Sequence, residues 1–476
     1  MSAVIDFPLD EQTRTEIRRV FELQQQTKLA WRRDTVDQRL ARLQRLREVF
    51  SDHRQQMLDA ARADMNKPMA EAVLGELFPV LNTIDFARKN LKGWMKPRRV
   101  RTPMSMLGTR SELVHEPKGV SLIIAPWNYP FFLSFVPLAN ALAAGCPAII
   151  KPSEMTPAMT GVIRDIVAAA FAPEEVAVFD GGPTIAQALL ELPFDHIFYT
   201  GNPEIGKVVM RAAAEHLTSV TLELGGKSPV VIDETADVDT AAERIAWGKF
   251  LNCGQTCVAP DYVFVHESRR DELLDAFGRV LGKRYADLGA SGEHYGRIVN
   301  ERHHQRVTGL LDDALQRGAR VAVGGSTDAT QNYVSPTVLA DVDPASKLMQ
   351  EEIFGPLLPV MSYRELDEVL EFINSKPKPL ALYAFSKVRD TLDRVLRSTS
   401  AGGTTLNHVM LHGMNPYLPF GGVNNSGIGK TNGYYGFQAF SNERAVTRQT
   451  SGFSATRLMA APYSDRVRSM LNRFVR

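Results

Sequence analysis

Apolar residues recur along this chain with two periods, and the change from one to the other divides it. From residue 9 to about residue 92 the period is helical. In Val36 to Ala63, Leu40, Leu43, Leu46, Val49, Phe50, Met57 and Leu58 return at three- and four-residue steps. Pro97, Pro103 and Gly108 interrupt the pattern, and Glu112-Leu113-Val114-His115 then alternates as a strand does. Pro117-Lys118-Gly119 predicts a turn into the next strand, so this stretch reads as a two-stranded excursion. An isolated hairpin rarely survives without a partner surface, which makes it a candidate interface arm.

From Val120 short, almost wholly apolar runs alternate with amphipathic ones. Strands are predicted at Val120 to Ala125, Pro147 to Ile150, Val176 to Phe179, His196 to Thr200 and Val220 to Leu224. Helices fall between them, through Leu138 to Ala144 and over Pro157 to Ala172, Pro183 to Leu192 and Pro203 to Leu217. Strands this apolar are covered on both faces, so the class is α/β with a parallel sheet. A second α/β run begins at Pro229-Val230-Val231-Ile232. It continues through a helix near Thr240 to Leu251, strand Tyr262 to His266, and helices Asp271 to Leu281 and Glu301 to Gln316. Its later strands are Leu357 to Met361, Leu380 to Phe385 and Gly403 to Leu406. Two doubly wound lobes then meet near residues 224–228, and a cleft between lobes is where small-molecule chemistry usually sits.

Composition narrows the classes. A chain of 476 residues, 44% hydrophobic, can bury more than one core. Lys and Arg number 55 against 54 Asp and Glu, which leaves no broad basic field for nucleic acid. The three cysteines, Cys146, Cys253 and Cys257, suit a reducing compartment, and the spacing of the last two spells neither a redox pair nor a metal knuckle. Met1 to Arg14 lacks the basic and apolar regions of a secretory signal, and no 18-residue apolar run occurs. A soluble cytoplasmic protein without a transmembrane segment is expected. The arginine-rich tail, with Leu458, Met459, Val467, Met470, Leu471 and Phe474, is expected to pack on the protein or on a partner subunit more readily than on a membrane surface.

Gly201-Asn202-Pro203-Glu204-Ile205-Gly206-Lys207 follows a strand and opens a helix, as a phosphate loop does. The next position must be Ser or Thr to hold magnesium, and it is Val208. The milder reading is a helix N-terminus capped by Asn202, which can still face a dinucleotide. The G-x-G-x-x-G fingerprint is absent.

Cys257 closes Gly254-Gln255-Thr256-Cys257 at the end of an amphipathic run. It reads either as an inert buried thiol or as a nucleophile, and the second needs a lowered pKa, here expected from a helix N-terminus after the cysteine. Cys253 is a bystander or a redox partner. Glu223 ends a strand before Gly225-Gly226. It suits a mobile general base over the cleft, or else a surface carboxylate paired with Lys227. Asn128, in Pro126-Trp127-Asn128-Tyr129-Pro130, either donates to an oxyanion or caps a turn.

Together these segments resemble the aldehyde dehydrogenase superfamily. The match rests on Pro126-Trp127-Asn128, Lys151-Pro152-Ser153-Glu154, Phe198 to Gly206, Glu223 to Lys227, Gly254 to Cys257, Glu352 to Pro356 and Pro419 to Gly422, in family order over most of the chain. Cys257-Val258-Ala259-Pro260-Asp261-Tyr262 looks like the class 3 branch. Gly413 to Pro419 and Gly433 to Phe437 look like its bacterial coniferyl-aldehyde dehydrogenases.

The resemblance implies a Rossmann-like cofactor-binding domain (1–96 and 119–224), a catalytic domain (225–410), an oligomerisation arm (97–118 and 430–450) and a C-terminal tail (451–476). It implies a homodimer that binds NAD, with NADP possible, and no metal. Cys257 would attack an aldehyde, Asn128 and the Cys257 N–H would hold the oxyanion, and Glu223 would activate the hydrolytic water. Lys151 and Glu154 would meet the adenosine ribose, and Gly201, Asn202 and Gly206 the pyrophosphate. Glu352 and Phe354 would meet the nicotinamide ribose, with Trp127 and Leu224 also at the cofactor. The implied reaction is oxidation of aromatic aldehydes such as coniferyl aldehyde. Aliphatic aldehydes are the alternative within the class, and a catalytically silent protein is the alternative outside it. A coenzyme-A-acylating version is disfavoured by the glutamate base. Two positions depart from the family: Asn202 stands where Ser is usual and Asn424 where Gly is usual.

Overall fold

Short β-branched and aromatic runs, separated by capped helices, set the strand positions. The computed structural model describes residues 9–285, 292–452, 454 and 460–474. In chain order the first strands are β1 (Arg98–Val100), β2 (Thr109–Pro117), β3 (Ser121–Ile124), β4 (Ala148–Lys151), β5 (Val176–Val178), β6 (His196–Thr200) and β7 (Ser219–Glu223). Next come β8 (Pro229–Ile232), β9 (Tyr262–His266), β10 (Arg320–Val323), β11 (Thr327–Asp328), β12 (Tyr333–Val334) and β13 (Thr337–Ala340). The last are β14 (Leu357–Tyr363), β15 (Ala381–Phe385), β16 (Gly403–Leu406), β17 (Gly427–Ile428) and β18 (Ser441–Gln449).

Two mainly parallel sheets form, as the alternation of strands and helices predicts. One has the order β17-β7-β6-β3-β4-β5, the other β10-β13-β14-β9-β8-β15-β16. Only the β17–β7 and β10–β13 pairs in them are antiparallel. In the first sheet successive residues serve opposite faces, as the pleat requires. Ile123 and Ile150 pack with Phe131 and Phe135 on one side, and Leu122 and Ile149 with Ile17 and Val20 on the other. The helices begin where capping chemistry puts them. Thr35 makes a reciprocal box with Gln38, and Asp237 accepts from the Thr240 N–H at 3.0 Å.

The arm differs from the two-stranded excursion expected. Strand β2 does not pair with β3; it lies in a third, antiparallel sheet of order β1-β2-β18. Nine residues of β2 pair with nine of β18, from Ser441 opposite Pro117 to Gln449 opposite Thr109. The partner strand comes from more than 300 residues away in sequence (|i−j| of 336 for Arg448 to Glu112), so local alternation could not reveal it. Phe440, stacked on Phe198 with centroids 5.7 Å apart, fastens the start of β18 to the first sheet.

Strands β10 and β13 escaped the sequence reading. Leu458 and Met459 of the tail lie outside the described residues. In its helix Asp465–Phe474, Val467 and Met470 are half-buried and Leu471 is exposed. No helix among the described residues is long and apolar enough to cross a membrane.

Candidate active site

The first sheet changes winding direction at β3. The chain runs outward through β4 and β5, then returns to β6 and β7 on the other side of β3. A crevice opens at such a point, beyond the carboxyl ends of the strands. The loop after β3 carries Trp127 and Asn128, and the loop after β6 carries Gly201 and Asn202. Asn202 caps the helix Pro203–Glu215, its side chain accepting from the Ile205 N–H at 3.0 Å. A Cβ at Gly201 would overlap the Tyr199 hydroxyl, and one at Gly206 would lie 2.9 Å from Leu224 Cδ2. Lys207, the lysine of the phosphate-loop look-alike, pairs with Glu204 at 2.7 Å on the surface. At the end of β4, Lys151 donates to Glu154 at 2.9 Å. A helix N-terminus, close-packed glycines and a ribose-sized pair of polar groups along one crevice fit a dinucleotide.

The nucleophile loop is strained. Asn252, Cys253 and Gly254 hold φ values of 53°, 55° and 71° in succession. The left-handed region costs a non-glycine residue roughly 1–2 kcal/mol. Gly254 permits the close approach, because a Cβ there would overlap the Gly355 carbonyl. Gln255 is fully buried and holds the loop by donating to the Asn252 and Arg297 carbonyls, each at 3.0 Å, and accepting from the Val299 N–H at 3.1 Å. Cys257 follows, half-buried, in a turn that leads straight to β9. The helix N-terminus expected after Cys257 is not there. Cys253 is buried, with its sulfur on the side of Gly296 and Tyr295.

Asn128 is buried, and its amide donates to the Gln255 carbonyl at 3.0 Å, joining the β3 loop to the nucleophile loop. Beside it the Tyr129 hydroxyl meets Thr256 Oγ1 at 2.8 Å. The Trp127 ring contacts Phe354 at 5.3 Å and His303 at 5.0 Å between centroids. Phe354 has φ of 43°, a second strained residue at the site.

Glu223 ends β7 inside the sheet, with its carbonyl accepting from Gly201 and its backbone paired with Gly427. It is buried, and neither carboxyl oxygen has a hydrogen-bond partner among the described residues. Burial pushes its pKa well above the usual carboxylate range, and the nearby Lys430 ammonium opposes that only in part. Lys227 does not pair with it. Lys227 instead forms an ion pair with Asp261 and donates to the Leu348 and Glu351 carbonyls at 2.8 and 2.9 Å. Asp261 in turn accepts from Ile353 N–H at 2.9 Å, which fixes the loop carrying Glu352 and Phe354. The Glu352 carboxylate packs against Gly225, and burial followed by the Asp261 charge raises its pKa to about 8. Burial, then Glu352, then Glu223, push the Cys257 thiol up to about 12. A thiol, two carboxyls and a fixed amide from different segments therefore share one desolvated pocket. Such a set can add sulfur to a carbonyl, hold the oxyanion and activate water.

Residues 6–446 match the model of the aldehyde dehydrogenase family. The chain belongs to the aldehyde dehydrogenase family. It is 44% identical over 420 residues to 4,4'-diaponeurosporen-aldehyde dehydrogenase of Staphylococcus aureus, covering 88% of this chain and 90% of that one. It is 42% identical over 428 residues to aldehyde dehydrogenase family 3 member A2 of Mus musculus, covering 90% and 87%. A substrate-bound Staphylococcus aureus AldH structure superposes with a TM-score of 0.92 at 41% identity, over 96% of this chain and 99% of that one. These relatives agree with a class 3-like branch and make this an enzyme, an aldehyde dehydrogenase, and not a silent use of the fold.

In this aldehyde dehydrogenase Glu223 and Glu352 lie close enough to Cys257 to raise its pKa, Asn128 is bonded to Gln255 two residues before the thiol, and Trp127 meets Phe354. Leu224 lies against Gly206, and Lys151 with Glu154, Gly201 and Asn202 stand at the carboxyl ends of β4 and β6. The unusual Asn424 has φ of 54°, a left-handed value that Asn tolerates well, and it accepts from Lys378 at 2.9 Å. Sequence reading missed Lys430, Asp261, Lys67, Glu71 and Glu76. Because the thiol is held up at about 12, its thiolate fraction should rise about tenfold per pH unit below that value. Iodoacetamide labelling of Cys257 in the cofactor-free enzyme, followed by mass spectrometry, should therefore accelerate about tenfold per unit from pH 7 to 9. A plateau by pH 8 would contradict this electrostatic account.

Proposed function

We propose that this aldehyde dehydrogenase converts apolar aldehydes to carboxylic acids through a Cys257 thioester. The carrying observation is the 3.0 Å bond from the Asn128 amide to the Gln255 carbonyl. It sets a hydrogen-bond donor beside the loop that bears Cys257. The Cys257 thiol gives its proton to water, its sulfur adds to the aldehyde carbon, and the oxyanion rests on the remaining Asn128 N–H and the Cys257 backbone N–H. NAD, when bound, supplies the hydride acceptor. The resulting thioester is opened by a water whose proton Glu223 takes, releasing the acid and the thiol. Burial raises the pKa of Glu223, so its carboxylate, once its own proton has left, is a stronger base for that transfer than an ordinary glutamate.

In this reading residues 1–96 and 119–224 bind the cofactor and 225–410 carry the chemistry. Lys151 and Glu154 meet the adenosine ribose, and the Glu154 carboxylate favours NAD over a 2′-phosphorylated cofactor. Gly201, Asn202 and Gly206 lie by the pyrophosphate, Trp127 and Leu224 wall the crevice, and Glu352 and Phe354 hold the nicotinamide ribose. Residues 97–118 and 430–450 form the oligomerisation arm, and 451–476 the tail. Strand β18 is an exposed nine-residue edge with only β2 beside it in its sheet, the kind of edge that a second copy covers.

Coniferyl aldehyde is the substrate that the resemblance suggests. A long aliphatic aldehyde is the second reading, and exposed apolar side chains favour it. Met69, Leu74 and Phe78 stand out of the segment whose polar side chains reach Asn128 and Asn252, and Met414, Tyr417 and Leu418 stand out of the loop before Phe420. Tyr417 meets Phe86, two turns along the helix that begins at Phe78, edge-on at 5.0 Å. The Staphylococcus aureus relative is named for 4,4'-diaponeurosporen-aldehyde.

Three outcomes test these assignments. Glu223→Gln should release about one NADH per site in a burst and then turn over at least about 100-fold more slowly than wild type, while Cys257→Ala gives no burst. An unchanged steady rate for Glu223→Gln would remove it as the base. In a panel of hexanal, dodecanal and coniferyl aldehyde with each cofactor, kcat/KM should be higher with NAD and higher for the two large apolar aldehydes than for hexanal. A preference for hexanal would sink the apolar-substrate reading, and the order of the other two decides between chain and ring. Light scattering should return twice the chain mass, and a single-chain mass would end the arm proposal.

A further inference from the structure

The segment Lys67 to Leu77 takes no part in the chemistry above, yet it reaches both catalytic loops. Lys67 Nζ pairs with Glu76 Oε1 at 2.5 Å, the two side chains 1% and 0% exposed. The same ammonium donates to the Asn128 carbonyl at 3.0 Å and lies 4.5 Å from the centre of the Tyr129 ring. The other Glu76 oxygen accepts from the Phe131 N–H at 2.9 Å. One ion pair thus grips the two ends of the turn Asn128 to Phe131. Four residues after Lys67, Glu71 accepts from the Asn252 N–H at 2.8 Å. The Asn252 amide then donates to the Asn128 carbonyl at 3.0 Å and to the Gln255 carbonyl at 3.2 Å.

The backbone of this segment is itself unusual. Glu76 lies in a π-helical turn, Val73–Leu77, between ordinary helices. Such turns are rare and are found mostly at functional sites. Gly75 in the same turn lies under the Tyr129 ring, where a Cβ would come within 3.0 Å of Cε1. Stability alone is a weak reason to keep the ion pair, since apolar replacements of a buried pair are often neutral or stabilising. What the pair does touch is the backbone of the residue whose amide faces the reacting carbonyl.

We propose that the Lys67–Glu76 pair is a positioning device for the oxyanion donor: it fixes the Asn128 backbone so that one amide N–H stays on Gln255 and the other points at the alkoxide formed on the aldehyde. The inference rests on the role given to Asn128 above. Addition of sulfur to an aldehyde builds an oxyanion, whereas alkylation by iodoacetamide does not. The two reactions at Cys257 therefore separate oxyanion positioning from general damage to the site.

The test uses the full chain carrying Lys67→Met with Glu76→Gln, which removes both charges together, and Lys67→Arg, which keeps the charge but displaces the donor. Wild type and Asn128→Ala run beside them with NAD and dodecanal. For both Lys67 variants kcat/KM for the aldehyde should fall at least about tenfold, mainly through kcat, since a lost oxyanion donor costs about 10²–10³ in rate. Iodoacetamide labelling of Cys257 and the NADH dissociation constant from fluorescence should stay within about twofold of wild type, the scale on which an untouched step varies. Placed in the Asn128→Ala protein, the double substitution should add less than about twofold, as residues acting through one group are not additive. Oxidation within about threefold of wild type in the Lys67 variants would overturn the proposal. So would labelling that falls in parallel with oxidation, or an additive loss in the Asn128→Ala background. A wild-type enzyme that labels normally but oxidises no aldehyde would instead strike at the functional reading on which this one stands.

Discussion

Among the hydrogen bonds that join the two lobes, the one from the Asn128 amide matters most. The Asn128 amide belongs to the loop leaving the first sheet, the Gln255 carbonyl to the loop entering the second, and they meet at 3.0 Å in a buried setting. Buried polar groups left unpaired are costly, so neither loop can drift without exposing the other to that penalty. Gln255 passes the constraint onward to Asn252, Arg297 and Val299, so it reaches well into the second lobe. The strained run Asn252-Cys253-Gly254 persists because these bonds over-determine it.

Burial controls the chemistry as strongly as position does. The pocket holds a thiol and two carboxyls, each raised chiefly by burial, and the two carboxyls push the thiol up further. The resting site therefore keeps its protons. This keeps the nucleophile unreactive until the site is filled, because a cation brought beside a buried thiol favours the thiolate. The neighbouring ion pair Lys227–Asp261 plays a different part. It is held by backbone contacts at Leu348, Glu351 and Ile353, and so anchors the loop of Glu352 and Phe354 while leaving the Glu352 carboxyl free to face Gly225.

The arm shows the same dependence of local form on distant chain. Strand β2 has its alternating sequence early, yet its long partner β18 arrives only after both lobes are built. Phe440 on Phe198 and Lys118 on the Ala439 carbonyl tie that late strand back to the first sheet. The third sheet is thus anchored at its base and leaves the outer edge of β18 exposed.

Much of this protein could be read from its sequence because the relevant signals are short. Apolar runs alternating with amphipathic ones defined two parallel sheets, and the strings around Asn128, Glu223 and Cys257 marked one crevice, since periodicity and turn chemistry are encoded within a few residues. Other facts depended on which distant segments became neighbours. Lys67 meets Asn128 across 61 residues and Asn128 meets Gln255 across 127. Lys227 chose Asp261, 34 residues on, over the nearby Glu223. The missing helix after Cys257, the π turn at Glu76 and the raised pKa values have the same origin. Burial and partner choice are properties of packing, and a residue's desolvation is set by atoms that its own stretch of sequence does not contain.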